Sequence, residues 1–213
     1  MTTSTDPGKQ LTARGLRTRK LLLDAGRRVF ERDGFAAARI TDIADLAGVA
    51  HGTFYTYFES KDVMFVELID SVREEMLAGS AHTVIPEAEE GEEPWQTIAR
   101  ANRRYLTAYR ENAQLMVIWE QAATMNDASR EMLTDSRQRF AERSAKAIRR
   151  YQQAGVADPD LDPTFAAVAL GAMVSRFAYI WFAGREPHDF EDAVTQLTVL
   201  WCNAIRIPRG ASA

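Results

Sequence analysis

Between residues 51 and 58 the chain reads His51, Gly52, Thr53, Phe54, Tyr55, Thr56, Tyr57, Phe58. In a helix, Phe54 and Phe58 share one face at i, i+4 spacing. That leaves His51, Gly52, Thr53, Tyr55 and Tyr57 for the outside, an imidazole and hydroxyls that can bond phosphates and base edges. Catalysis would need a different constellation. The three histidines, His51, His82 and His188, lie in separate segments, and there is no His-Glu-x-x-His, nucleophile elbow or glycine-rich phosphate loop. An enzyme is therefore the disfavoured reading, and no cofactor is expected. The one cysteine, Cys202, permits no intrachain disulfide and no thiolate metal cluster, so no metal is expected. Its ordinary role is a small buried apolar residue; a redox sensor would need an exposed thiolate.

The elements that must position these groups are helical. The prolines, Pro7, Pro86, Pro94, Pro159, Pro163, Pro187 and Pro208, all fall where helices can end, and the runs between them show apolar spacing near 3.6 residues. The fold class is all-α, with about nine helices. A first helix is expected from about Thr12 to Asp33, with Leu22, Ala25, Val29 and Phe30 on one face and a left-handed stop at Gly34. Thr41 is the expected N-cap of a short helix through Ala47. Gly48-Val49-Ala50 makes a tight turn into the helix 51–58, and Ser60 caps a longer helix from Lys61 to about Ala78. The short pair 41–47 and 51–58 forms a helix-turn-helix whose second member fits a major groove about 12 Å wide.

Charge supports this division. The 213 residues are 46% apolar and 26% charged with a net charge of −4, which suits one or two globular domains. Residues 1–61 hold ten Lys/Arg against seven Asp/Glu, a balance of +3; residues 62–213 hold sixteen against twenty-three, a balance of −7. A basic head on an acidic body is the pattern of a DNA-reading module joined to another domain. The expected domains are 1–61 and 62–213. The first twenty residues have no signal-peptide apolar run, so the expected location is the cytoplasm.

The run from Thr41 through Gly48, Gly52-Thr53-Phe54-Tyr55, Tyr57-Phe58 and Ser60-Lys61 resembles the DNA-binding signature of the TetR/AcrR family of bacterial one-component repressors, over about Leu21 to Leu68. The resemblance implies that Thr41 meets a phosphate at the start of its helix and that Gly52 and Thr53 approach base edges. It also implies that Tyr55 and Tyr57 bond phosphates or pack on thymine methyls, and that Lys61 holds the DNA backbone. His51 is a donor to a phosphate or guanine, or an idle surface histidine. Ala50 stands where many members carry Ser or Thr. An arm with Arg14, Arg17 and Arg19 reaches a minor groove or is an idle tail.

After an acidic connector, Thr83–Pro94, helices are expected near 95–111, 113–126, 129–154, 164–183 and 189–206. The segment 165–183 is apolar enough to raise the question of a membrane span. Arg176 near its middle argues for a core helix with surplus apolar surface covered by a second subunit. A stripe of Phe190, Val194, Leu197, Trp201 and Ile205, flanked by Ala193, Leu200 and Ala204, adds to that surplus. The two last helices are therefore the expected homodimer interface. Rings concentrated in this half suggest a pocket for a small hydrophobic or aromatic effector. Its expected lining is Trp95, Tyr105, Trp119, Phe177 and Tyr179, with Arg176 or Asn102 as polar anchor. The reading that results is a dimeric repressor released from a palindromic DNA operator by its effector. A ligand-independent DNA-binding dimer and a ligand-dependent activator are the alternatives.

Overall fold

The computed structural model describes residues 12–78, 88–184 and 188–208, and among them it holds nine α-helices and no strand. In chain order these are α1 (Ala13–Ala37), α2 (Ile40–Ala47), α3 (His51–Tyr57), α4 (Lys61–Ala78), α5 (Pro94–Glu111), α6 (Ala113–Met125), α7 (Asp127–Gln153), α8 (Pro163–Gly184) and α9 (Phe190–Ala204). Two compact units part between Leu68 and Ile69. This parting lies inside α4, where Met64, Phe65 and Leu68 are buried side chains.

In that first unit, Thr12 caps α1 by accepting from the Gly15 N–H at 3.2 Å. Leu22, Ala25, Val29 and Phe30 form the buried face. Two local expectations are corrected. Gly34 has φ 75° and ψ 168°, which is not left-handed helix, and the chain makes a further turn that the Ala38 N–H closes onto the Gly34 carbonyl at 3.2 Å. Phe35 still folds back, its ring 6.0 Å from Phe30 and 4.8 Å from Phe65. Thr41 is not an N-cap: α2 begins at Ile40 with Arg39 as its cap, and no side chain bonds the exposed N–H groups there. Gly48, at φ 69° and ψ 32°, takes the left-handed position that ends α2, a conformation that costs a residue with a Cβ about 1–2 kcal/mol. Ser60 accepts from the Val63 N–H at 3.2 Å and starts α4.

The second unit is built on α8, which packs along α7 and also meets α5, α6 and α9. Gly171 permits the close approach to α7: a Cβ there would lie 2.4 Å from Phe140 Cε1. Pro94 opens α5 at a position where its missing N–H costs nothing, and a capping box joins Glu93 and Gln96. Within the acidic connector, residues 83–87 lie outside the described residues. Glu92 is bound by Arg100 at 2.9 and 2.6 Å, so this part of the connector anchors a helix and is not merely solvated. The chain of α5 is tied to α9 by the Arg103–Glu191 ion pair, by Arg110 over the Phe190 ring at 4.7 Å, and by Asn102 Nδ2 donating to Thr198 Oγ1 at 3.2 Å.

The α9 stripe is a third correction. Val194, Leu197, Trp201 and Ile205, with Ala193, are buried within the chain itself, and Phe190 is half-buried. They fill the core against α5 and are not spare surface. What stays uncovered is the flanking Leu200 of α9, at 49% exposure, together with Phe165 at 73%, Val168 and Ile180 on α8. The helix α8 has the length and hydropathy to cross a membrane, yet it is a packed helix of this unit with a third of its apolar window buried.

Candidate functional site

Two features stand apart from the packing. The first is the outer face of α3. Phe54 and Phe58 are buried, their rings 5.6 Å apart, and they orient the helix. His51 and Gly52 are exposed, Tyr55 is 53% exposed, and Thr53 and Tyr57 are half-buried. The His51 and Tyr55 rings meet edge to face at 5.4 Å, one turn apart. Ala50 caps α3 without a side-chain hydrogen bond, so the N-terminal N–H groups of the helix lack the serine or threonine partner usual at such a position. Thr41 lies exposed at the start of α2, its hydroxyl 3.5 Å from Asp42 Oδ1. Beside it Arg39 is an exposed cation that sequence reasoning passed over; its place just before α2 was the available signal.

Lys61 and the arginine arm come out differently. The Lys61 ammonium donates to the carbonyl oxygens of Phe35, Ala36 and Ala38 at 2.9, 3.1 and 3.0 Å. An ammonium has three donors, so all of them are engaged in tying α4 to the end of α1, and Lys61 is a buttress rather than a free cation. Arg14, Arg17 and Arg19 are on α1 and not on an extended arm. Arg17 is exposed, whereas Arg19 pairs with Glu67 and covers the Phe58 ring at 5.0 Å.

The second feature is a cavity of about 710 Å³ inside the second unit. Tyr105 and Tyr109 of α5, Met116 and Trp119 of α6, Phe140 of α7 and Tyr179 of α8 supply its rings and thioether. Its volume lies within the roughly 300–1,000 Å³ usual for small-molecule pockets. Of the expected lining, Tyr105, Trp119, Arg176 and Tyr179 are brought together here. Phe177 is not; its ring packs on Trp181 at 5.7 Å and His188 at 5.1 Å, on another face of α8. Trp95 is half-buried and does not line the cavity. Asn102 instead faces a separate cavity of about 20 Å³ and bonds Thr198.

Burial holds the Tyr105 and Tyr109 phenols well above the ordinary phenol range, so both are neutral hydrogen-bonding groups. The Trp119 indole donates to the Ser129 carbonyl at 3.3 Å, which fixes its ring in the wall. Arg137 pairs with Glu120 at 2.8 Å, and the Arg176 guanidinium lies over the Tyr179 ring at 4.8 Å. Sequence reasoning missed Leu133, Arg137 and Gly171 and did not single out Phe140. The signal was present in the i, i+4, i+7 spacing of 133, 137 and 140 on one face of α7.

Comparison with known proteins covers both units of the chain. Residues 22–68 match the family model described as bacterial regulatory proteins, tetR family, and residues 98–206 match that of the C-terminal domain of the transcriptional regulator EthR. The chain is 24% identical to the HTH-type transcriptional regulator EthR of Mycolicibacterium smegmatis over 187 residues, covering 86% of this chain and 84% of that protein. It is 27% identical to the HTH-type transcriptional regulator TtgR of Pseudomonas putida, covering 77% and 80%. Among solved structures, a putative TetR-family transcriptional regulator from Rhodococcus sp. superposes with TM-score 0.73 at 20% identity, over 89% of this chain and 98% of that one. The transcriptional regulator FadR from Bacillus subtilis, in complex with stearoyl-CoA, superposes with TM-score 0.74 at 17% identity, over 87% and 98%.

Proposed function

The chain belongs to the TetR family of bacterial transcriptional regulators, which bind DNA and are not enzymes, and from that premise we propose that it is a homodimeric repressor released from a palindromic operator by a small apolar effector. One recognition helix reads too few base pairs to find a genomic site, so two must act together on half-sites about 34–36 Å apart. The uncovered apolar residues of α8 and α9, Phe165, Val168, Ile180 and Leu200, are the surface that supports pairing through these two helices. Thr41, His51, Gly52, Thr53, Tyr55, Tyr57 and Arg17 are the residues offered to DNA, in the cytoplasm where the operator lies.

The observation that carries the ligand response is the cavity of about 710 Å³ with its aromatic wall. Close-packed interiors leave few voids, and space of this size supports a ligand site. The regulator FadR, which shares the fold, is known in complex with stearoyl-CoA, and an elongated apolar effector suits the cavity of this chain. An effector that binds better to the form that cannot span both half-sites lowers operator affinity, and a coupling of about 1–3 kcal/mol corresponds to a change of about 5–150-fold. The test begins with selection of bound sequences from random duplex DNA by the full chain. Recovery of an inverted repeat, bound by two chains and released by a compound that raises the melting temperature, is the expected result. Recovery of no enriched sequence, or of a site bound by one chain, overturns it.

A further inference from the structure

Among the described residues, four buried polar side-chain atoms of the second unit have no hydrogen-bond partner within the protein, and the residues that carry two of them line one space. Ser144 Oγ on α7 and Trp201 Nε1 on α9 are unpaired, in side chains 1% and 3% exposed. Both residues line the cavity of about 20 Å³. A buried donor without a partner is a standing penalty that native folds rarely carry. Here the two residues line one space the size of a single heavy atom or water molecule.

That small space adjoins the large one. Tyr105, Phe140 and Val174 line both cavities. Phe140 is one of these shared walls, and its ring lies against Gly171, where any Cβ would collide with Cε1. An aromatic ring resting on a glycine can turn aside without displacing a side chain behind it.

We propose that the small cavity is the polar end of the effector site, taking a neutral oxygen acceptor such as a ketone, ester or amide carbonyl that passes Phe140 to accept from Trp201 Nε1–H and Ser144 Oγ–H. The chemistry follows from the donors. An indole N–H can only donate, so the incoming group must accept. No charged side chain lines this space, so a carboxylate would lose its hydration without a counter-charge. The arginines Arg137 and Arg176 belong to the large cavity. The effector class that results has an apolar or aromatic body and a neutral carbonyl at its inner end. Trp201 belongs to α9, so filling this end places the ligand in direct contact with a helix of the proposed dimer pair.

This inference rests on the proposed effector cavity, and its test separates the two. The full chain is titrated calorimetrically with 4-butylacetophenone and with 1-butyl-4-isopropylbenzene, which has a methyl group in place of the carbonyl oxygen. The ketone is expected to bind about tenfold more tightly, the equivalent of one to two good hydrogen bonds. Ser144→Ala should cut that preference about threefold while leaving hydrocarbon affinity and melting temperature unchanged or slightly raised, because it deletes an unpaired hydroxyl. Trp201→Phe should abolish most of the remaining preference. Equal binding of the two compounds, or a ketone preference that survives both substitutions, overturns the polar end and leaves the cavity reading standing. Binding of neither compound overturns both.

Discussion

The two units of this chain spend their side chains in opposite ways. In the first, Phe30, Phe35 and Phe65 close on one another at 4.8–6.0 Å, Lys61 satisfies three carbonyl oxygens, and the hydrogen-bonding groups of α3 are turned outward. In the second, a cavity of about 710 Å³ interrupts the core, and Ser144 and Trp201 keep buried polar atoms without partners. A surface that reads DNA needs donors held in fixed positions, so its packing is complete. A domain that responds to a ligand needs contacts still to be made, because free ligand at a hundred times its dissociation constant stabilises the bound form by about 2.7 kcal/mol. Completeness in one unit and reserve in the other divide the labour of a regulator.

The largest effect should come from breaking the complete side. Phe54 is the fully buried anchor of α3, and Phe54→Ala should cost about 3–5 kcal/mol. Thermal denaturation should show a destabilised first transition and operator binding should vanish, while effector binding by the second unit persists. Loss of effector binding as well would mean that the two units do not divide the work in this way. Next in size is Lys61→Met. If Lys61 is a buttress, the substitution lowers stability by about 2 kcal/mol through lost charge-assisted hydrogen bonds and leaves the salt dependence of operator binding unchanged. A phosphate contact would give the reverse, intact stability and a salt slope reduced by about 1.

Two further changes sharpen the contrast. Tyr55→Phe removes an exposed hydroxyl from α3, and melting should not move while operator affinity falls about tenfold, as for a loss of about 1.4 kcal/mol of recognition. Gly171→Ala acts on the other side. Forcing a methyl against Phe140 should cost about 1–3 kcal/mol and should weaken ligands long enough to reach past that ring more than short ones. An unchanged length preference would show that Phe140 is a fixed wall.

How much of this was legible in the chain depends on what each residue has to do alone. The turn at Gly48 was legible because one residue must hold a positive φ, and the inner face of α3 because Phe54 and Phe58 repeat at one turn. The start of α2 was not, since Arg39 caps it with backbone geometry and no side-chain bond leaves a mark in the sequence. The cavity wall was half legible. Tyr105, Trp119 and Tyr179 are large rings that stand out, whereas Gly171 matters through an absent side chain, and Phe177 differs from Tyr179 only by the phase of α8. The stripe of α9 misled because an apolar face looks the same whether its own chain or a second copy covers it.

The smallest effect concerns an acidic anchor at the start of α5 in the second unit. The Arg100 guanidinium beside Glu92, helped by the Glu89 N–H, holds the Glu92 carboxyl at about 2, well below the usual carboxylate value. A carboxylate depressed in the folded state stabilises it above its unfolded value near 4.5 and loses that contribution as pH falls toward about 2. Between those limits the wild type should lose about 1–2 kcal/mol in the second unit, the range of a partly sheltered bidentate pair. Glu92→Gln should be less stable than wild type at pH 7 by the same amount, and the two should converge near pH 2. The first unit gives the internal control: its half-buried Asp33, lowered by the neighbouring Arg32, is not replaced and responds identically in both proteins. A constant gap between wild type and Glu92→Gln from pH 7 to pH 2 would mean that the pair contributes shape rather than charge. The acidic start of α5 would then belong with the closely packed side of the comparison.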